Sequence, residues 1–186
     1  KAGDTIKYPA LASTLEKIMD EGRDGFYKGE VAQKIAAYVQ AKGGVITEED
    51  LTRYEAKWRT PIVFDYKDIK IISMGPPSSG GMTMDQIFTM IAPYDIASYG
   101  HNSTRAIQLF TEASRRAYAD RNHYLGDPDF VDIPYKGLMD VDYLKCRMAD
   151  FTFDRATLSS EVGHGTVEIV ESSETTHYSI IDAEGN

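Results

Sequence analysis

The hydrophobic pattern of the chain changes near Pro61, and this change constrains the fold more than any other feature. Before Pro61, apolar residues recur at helical spacing, which predicts helices over residues 9–20 and 28–41. Thr47 and Asp50 then have the spacing of a capping box, which predicts a short further helix. After Pro61 come two β-rich pieces between residues 62 and 74, separated by a polar turn. The sequence therefore predicts a helical first part followed by a β-hairpin.

The second half of the chain is predicted to be mainly helical, with an irregular stretch near its end. Residues 75–81 cannot continue a strand, because their prolines lack a backbone donor and their glycines lack side chains. Further helices are expected over residues 83–91, 102–125 and 140–148. Residues 150–174 show no clear period and are expected to form an exposed or mobile loop, followed by a strand over residues 176–182.

The composition excludes several classes of protein. The chain has 186 residues, and 20 Lys and Arg against 29 Asp and Glu give a net charge of −9, which disfavours a nucleic-acid partner. Hydrophobic residues make up 42% of the chain, enough for a packed core. Cys146 is the single cysteine, so neither an internal disulfide nor a zinc site of several thiolates is expected. No apolar run approaches the roughly 18 residues of a membrane-spanning helix.

The patterns that could bind a ligand are weak. The glycines of residues 75–81 could cradle an anion, but no Gly-Lys-Ser/Thr follows, so a tight connection between strand and helix is the preferred interpretation. A metal site is not expected, because no two histidines stand at ligand spacing among His101, His123, His164 and His177. Arginines near Asp120 could hold a carboxylate, although an exposed, ion-paired helix face is the preferred interpretation of Arg115, Arg116 and Arg121.

Two threonines, Thr175 and Thr176, follow the irregular stretch and open the last predicted strand. Two β-branched residues are common at the start of a strand. A chemical interpretation is also open, because cutting the peptide bond before a threonine frees an α-amino group that can act as base for the threonine hydroxyl. The pattern alone does not decide between these interpretations.

Five motifs stand in order over nearly the whole chain. They are GFYKG at 25–29, GGVITEEDL at 43–51 followed by Tyr54, PPSSGG at 76–81, AYADR at 117–121 with YLGDP at 124–128, and ETTHYS at 174–179. In this order the motifs resemble the γ-glutamyltranspeptidase family. The number and the order of the motifs make this resemblance specific.

The resemblance implies an α+β precursor of the N-terminal-nucleophile hydrolase type, an αββα sandwich of which this chain is a fragment. Residues 1–174 would be the later part of the large subunit, and residues 175–186 would begin the small subunit. The precursor would cut the bond between Glu174 and Thr175. Thr175 would then be the nucleophile that transfers γ-glutamyl groups from glutathione and related amides to water, amino acids or peptides. No metal or organic cofactor is implied.

The resemblance also implies what this chain lacks. In the family, the oxyanion donors lie beyond residue 186, and the arginine that binds the substrate α-carboxylate lies before residue 1. The isolated chain is therefore expected to be inactive, to need the missing segments of both subunits as partners, and to self-associate through unpaired sheet edges. A periplasmic or extracellular location is implied by the family alone. A related acylase, a polyglutamate-processing enzyme and a non-catalytic scaffold are the alternatives.

Overall fold

The chain divides into two units, Lys1–Trp58 and Arg59–Asn186. The computed structural model describes residues 2–167. Glu174, Thr175 and the last predicted strand lie outside the described residues. Among the residues that are described, no helix is both long enough and apolar enough to cross a membrane.

The first unit is helical, as its sequence predicts. Its helices are α1 Pro9–Glu21, α2 Asp24–Tyr27, α3 Gly29–Ala41 and α4 Glu48–Arg53. Pro9 opens α1, a position where its missing backbone N–H has no partner to lose. The stripe predicted on α1 is largely exposed, since Leu11 and Met19 are 54% and 76% accessible. Ala32 and Ala36 of α3 are buried instead.

Local hydrogen bonds explain how α4 begins and how it is held. The predicted capping box is present, because Thr47 Oγ1 accepts from Asp50 N (3.2 Å) and Asp50 Oδ2 accepts from Thr47 N (2.8 Å). The guanidinium of Arg23 donates to the carbonyl oxygens of Thr52 (2.7 Å) and Tyr54. These contacts join the end of α4 to the turn between α1 and α2.

The second unit begins with the predicted hairpin and continues with helices. Strands β1 Ile62–Tyr66 and β2 Ile69–Ser73 pair antiparallel, with Ile62 opposite Ser73 and Tyr66 opposite Ile69. The helices that follow are α5 Gly80–Ile91, α6 Thr104–Tyr124, α7 Tyr135–Leu138 and α8 Val141–Arg147. One-turn 3-10 helices occur at Ile96–Tyr99 and Ser159–Glu161.

The core of the second unit lies where α5, α6 and α8 meet. Its buried members are Ile87, Met90, Ile91, Leu109, Ala113, Ala117, Leu144 and Met148. The hairpin covers another side of α5, where the Phe88 ring lies 4.7 Å from the Tyr66 ring between centroids. Small residues in α6 allow this close packing, because Ala113 and Ala117 are fully buried. This packing holds α6 rigidly, so α6 can position the segment described next.

Gly75, in the connection between β2 and α5, and Gly81, in the first turn of α5, lie where the backbone packs closely. A Cβ at Gly75 would lie 2.6 Å from the carbonyl oxygen of Thr60, and one at Gly81 would lie 2.6 Å from that of Met74. Neither position has room for a side chain. The interpretation as a tight connection between strand and helix therefore agrees with the geometry.

Candidate functional site

Residues 150–167, here called the strap, lie against helix α6, and from Thr152 to Val167 they run in the same direction as the helix. The strap has little regular structure, as its sequence predicts, but hydrogen bonds attach it to α6 along its described length. At its start, Gln108 Nε2 donates to the carbonyl oxygen of Thr152 (3.2 Å). At its end, Val167 N donates to the Tyr124 hydroxyl (3.2 Å). The strap leads directly towards the predicted cleavage site in the sequence.

Five polar side chains of α6, spaced four residues apart, each bond to the strap, and Arg115 of the same helix adds bonds to the carbonyl oxygen of Thr157 (2.7 Å) and to Ser159 Oγ (3.2 Å). We call the five side chains the polar row; its members are Gln108, Glu112, Arg116, Asp120 and Tyr124. Charged members of the row are buried, since Glu112 and Arg116 are each 2% accessible and Asp120 is 0% accessible. The row lies next to the apolar residues of α6 that pack in the core. Helix α6 therefore presents an ionic stripe to the strap beside its hydrophobic stripe.

The middle of the polar row is an ion pair between Glu112 and Arg116. Arg116 donates to both the side chain and the carbonyl oxygen of Glu112, and its Nη2 reaches Asp150 Oδ1 of the strap at 2.7 Å. Glu112 Oε1 in turn accepts from Thr157 N of the strap at 3.0 Å. Burial alone would raise the pKa of Glu112, but the hydrogen bonds from Arg116 and Thr157 outweigh it and hold this pKa below its usual value.

Asp120 is the acceptor at the next turn of the row. Its Oδ1 accepts from Gly165 N (2.8 Å) and from Arg147 Nη2 (3.1 Å), while its Oδ2 accepts from the Tyr143 hydroxyl (2.8 Å). Burial and this hydrogen bond to Asp120 raise the pKa of Tyr143 well above its usual value. Arg147 also donates to the carbonyl oxygen of Gly163 (2.7 Å). Groups from both α6 and α8 thus hold the strap in place.

Tyr124 ends the polar row and fixes two residues of the strap. Its hydroxyl donates to the carbonyl oxygen of Gly165 (2.8 Å) and accepts from Val167 N (3.2 Å). Beside it, the rings of His123 and His164 stack with centroids 3.6 Å apart and planes 3° apart. The end of the strap is therefore held by hydrogen bonds and by ring contact.

A cavity of about 350 Å³ lies between the strap and the helices. Its lining includes Arg116, Tyr143, Cys146, Arg147, Glu161 and Thr166. The guanidinium groups that face it already pair with Asp120 and Asp150, so the cavity offers little free charge to a ligand. The structure assigns it no separate ligand.

The structure corrects one interpretation of the α6 arginines. Arg116 and Asp120 do not lie on an exposed helix face, because both are buried and bonded to the strap. Arg121 does lie on the surface, where it donates to Asn122 (2.9 Å). Tyr124 and Glu112 were missed as attachment points, although their four-residue spacing from Asp120 and Arg116 was a signal in the sequence.

The histidines and the predicted nucleophile are spread over different parts of the chain. Residues 2–167 hold no group of three or more His, Cys, Asp and Glu side chains that could bind a metal ion. His123 and His164 come together, but as stacked rings. His177 and the predicted nucleophile Thr175 lie outside the described residues.

Comparison with known proteins places this arrangement in a family. A model of the gamma-glutamyltranspeptidase family matches residues 1–186. The chain belongs to this family. The resemblance drawn from the five motifs is thereby confirmed, and so is an α+β fold of the N-terminal-nucleophile hydrolase type.

Relatives of the gamma-glutamyltranspeptidase family include both hydrolases and acylases. The glutathione hydrolase proenzyme of Escherichia coli is 45% identical over 186 residues, 100% of this chain and 32% of that protein. The acylase ACY 1 proenzyme of a Pseudomonas species is 36% identical over 176 residues, 94% of this chain and 31% of that protein. The chain therefore spans about a third of the length of the curated relatives that it matches.

A solved structure agrees with the sequence comparison. The crystal structure of Helicobacter pylori gamma-glutamyltranspeptidase matches with a TM-score of 0.78 and 41% identity. The match covers 92% of this chain and 49% of that one. Most of this chain therefore has the backbone arrangement of a family member.

Proposed function

We propose that this chain is part of a self-cleaving enzyme that transfers γ-glutamyl groups, with Thr175 as its nucleophile. The observation that carries the proposal is the family match, which runs through the Glu174–Thr175 sequence. The names of the relatives support a precursor, since they are called proenzymes. The attached strap supports it as well, because its last described attachment, at Val167, lies seven residues before Glu174 in the sequence.

In the proposed self-cleavage, Thr175 Oγ attacks the carbonyl carbon of Glu174. The C–N bond of the peptide breaks, and its nitrogen takes up the proton from the hydroxyl and becomes the free α-amine of Thr175. An ester now joins the two residues. Water then hydrolyses the ester. Glu174 is left as a new C-terminal carboxylate, and Thr175 is left with both a hydroxyl and an α-amine.

In the proposed turnover, the new α-amine of Thr175 takes the proton of its own hydroxyl. The Oγ attacks the γ-carbonyl of a γ-glutamyl amide such as glutathione, and the proton goes to the leaving amine. A γ-glutamyl ester of Thr175 remains. Water releases it as glutamate, and the amine of an amino acid or peptide releases it as a new γ-glutamyl amide.

The whole protein is needed for this chemistry. Loss of one oxyanion donor costs about 100-fold or more in rate, so a chain without its partner segments should have little activity. The missing segments of both subunits are thus its proposed partners, with glutathione and acceptor amino acids or peptides as substrates. A periplasmic or extracellular location is proposed by family resemblance alone. Self-association of the isolated chain is proposed from the outer edges of the two-stranded sheet in its described residues.

The test is the intact mass of the full-length precursor during incubation, with hydrolysis of a γ-glutamyl amide measured in the same samples. Wild-type precursor should yield two subunits cut between Glu174 and Thr175, and activity should rise with cleavage. Thr175→Ala should abolish both, whereas the matched control Thr176→Ala should still be cut at this bond. A folded wild-type precursor that stays whole and inactive would favour the non-catalytic scaffold.

A related acylase is the second candidate, because the Pseudomonas acylase proenzyme matches 94% of this chain. Both candidates share the cleavage and the threonine ester, so only substrate preference separates them. The cleaved enzyme should be given a γ-glutamyl amide and an amide of an acid that lacks the α-amino and α-carboxylate groups. Faster turnover of the second amide would identify an acylase.

A further inference from the structure

We propose that Asp120 and Tyr124 are positioning residues for self-cleavage. They hold the end of the strap and so fix the place from which the chain continues to the bond before Thr175. This inference rests on the proposed self-cleavage. It adds to that proposal two residues, both distant in sequence from the bond that is cut.

Asp120 and Tyr124 bind backbone groups of the strap and not its side chains. Asp120 accepts from Gly165 N at 2.8 Å, and Tyr124 donates to the carbonyl oxygen of the same residue at 2.8 Å. The Tyr124 hydroxyl also accepts from Val167 N at 3.2 Å. The backbone N–H and carbonyl groups of Gly165 are therefore both bound, and the Tyr124 hydroxyl also binds Val167, two positions later. Such paired contacts fix the register of the strap as well as its distance from α6.

Groups outside the strap also bind Asp120. Asp120 is 0% accessible and is oriented by the hydroxyl of Tyr143 (2.8 Å) and the guanidinium of Arg147 (3.1 Å). Tyr124 is 8% accessible, so its ring has little freedom. An acceptor that other groups already orient loses little conformational entropy when it binds the strap.

Close packing prevents the strap from sliding. A Cβ at Gly165 would lie 2.3 Å from the Tyr143 hydroxyl oxygen, and a Cβ at Gly137 of α7 would lie 1.9 Å from Val167 Cγ1. A Cβ at Gly163, two residues earlier, would have no other atom within 4 Å. The tight positions coincide with the residues that Asp120 and Tyr124 bind.

Anchoring matters because only seven residues, 168–174, separate Val167 from Thr175. An extended chain spans at most about 3.5 Å per residue, so the bond to be cut lies within roughly 25 Å of Val167. Self-cleavage needs this bond to meet groups that stabilise the developing charge. A misplacement of about 1 Å can slow a reaction by about 100-fold, so a loosened anchor should slow the cut.

The first test is Tyr124→Phe in the full-length precursor. The first-order rate at which the two subunits appear should fall by about 10-fold, because two hydrogen bonds to the strap are lost. Tyr118→Phe is the matched control, since Tyr118 lies on the same helix with 53% of its surface exposed. This control should be cut at the wild-type rate.

Two further measurements separate positioning from a general loss of structure. Unfolding is followed for each variant in a Thr175→Ala background, where no cleavage intervenes. Turnover per cleaved molecule is also measured, and Tyr124→Phe should lower the rate of cleavage by a far larger factor than it lowers turnover. A merely structural role would lower both together.

If Tyr124→Phe proves unstable, the variants Gly165→Ala and Gly163→Ala test the positioning role instead. Alanine at Gly165 should slow cleavage at least 10-fold, whereas alanine at Gly163 should change it less than twofold, because only the first meets Tyr143. Equal rates for the two alanine variants, or wild-type cleavage in stable Tyr124→Phe, would overturn the positioning role. Absence of any cleavage in the wild-type precursor would instead overturn the proposed function itself.

Discussion

Replacing Arg116 by Met should destabilise the chain by about 3 kcal/mol, the lower end of the roughly 3–5 kcal/mol expected when a buried ion pair loses one partner. Glu112 is 2% accessible, and Arg116 supplies the hydrogen bond to its Oε2. Its Oε1 keeps the bonds from Arg115 Nη1 and Thr157 N, both 3.0 Å. Half of a buried carboxylate therefore loses its donor, and methionine keeps most of the side-chain volume.

The assay is urea unfolding at pH 7, followed by circular dichroism. With a slope of about 2 kcal/mol per molar urea, the midpoint for Arg116→Met should fall by roughly 1.5 M. Arg121→Met is the matched control, because Arg121 lies exposed on the same helix and its loss should cost less than about 0.5 kcal/mol. Adding Glu112→Gln to Arg116→Met should restore part of the stability, since an amide leaves no unpaired charge.

The pH dependence gives an independent check of the same reasoning. The folded protein holds the pKa of Glu112 below its ordinary value of 4.5, so this stabilisation is present above about pH 4.5 and is lost as the pH falls through the folded pKa. Without Arg116, burial should raise the pKa of Glu112. Protonation of Glu112 would then remove the unpaired charge, so the difference in unfolding free energy between wild type and Arg116→Met should become smaller towards pH 4. A loss of unfolding free energy below about 1 kcal/mol at pH 7, or a loss that does not depend on pH, would refute the argument.

Three further predictions concern packing, capping and the strap. Gly81→Ala should lower stability by about 1–3 kcal/mol in urea unfolding, because its Cβ would meet a backbone carbonyl oxygen at 2.6 Å, whereas Gly163→Ala should change it little. Thr47→Ala should weaken helix α4 by about 1 kcal/mol, seen as faster amide exchange confined to that helix. The hydrogen bond from Arg116 lowers the pKa of Asp150, so this attachment should persist above about pH 4 and weaken as the pH falls further, which limited proteolysis of the strap would detect.

Local signals in the sequence were sufficient for most elements of the fold. The capping box at Thr47 was predictable because its partners are three residues apart. The hairpin was predictable because two β-rich pieces flank a short polar turn, and helix α6 because its pattern persists over 21 residues. The single turn α2 was not predicted, since four residues, Asp24–Tyr27, carry too little period to be recognised.

The attachment of the strap was not predictable from local pattern. Arg116 and Asp120 have the spacing of ordinary surface ion pairs, and their burial follows from residues 31 to 45 positions away. No single-sequence period encodes such a contact. The available signal was the four-residue repeat of polar side chains beside Ala113 and Ala117. When a polar stripe borders the buried apolar stripe of a helix, another segment of the chain can cover the polar stripe as well.

Ionic groups suit this attachment better than an apolar stripe would. Asp120 and Glu112 have their charges balanced by Arg147 and Arg116 within the helices, so much of the cost of burying them is met without the strap. The strap then supplies mainly backbone groups, and the hydrogen bonds of those groups have strict direction. An apolar stripe would hold the backbone of the strap weakly and in several registers, since hydrophobic contact is non-directional. In the proposed self-cleavage the strap must deliver one particular bond to the reaction site and so needs one register, which the polar row of α6 can provide.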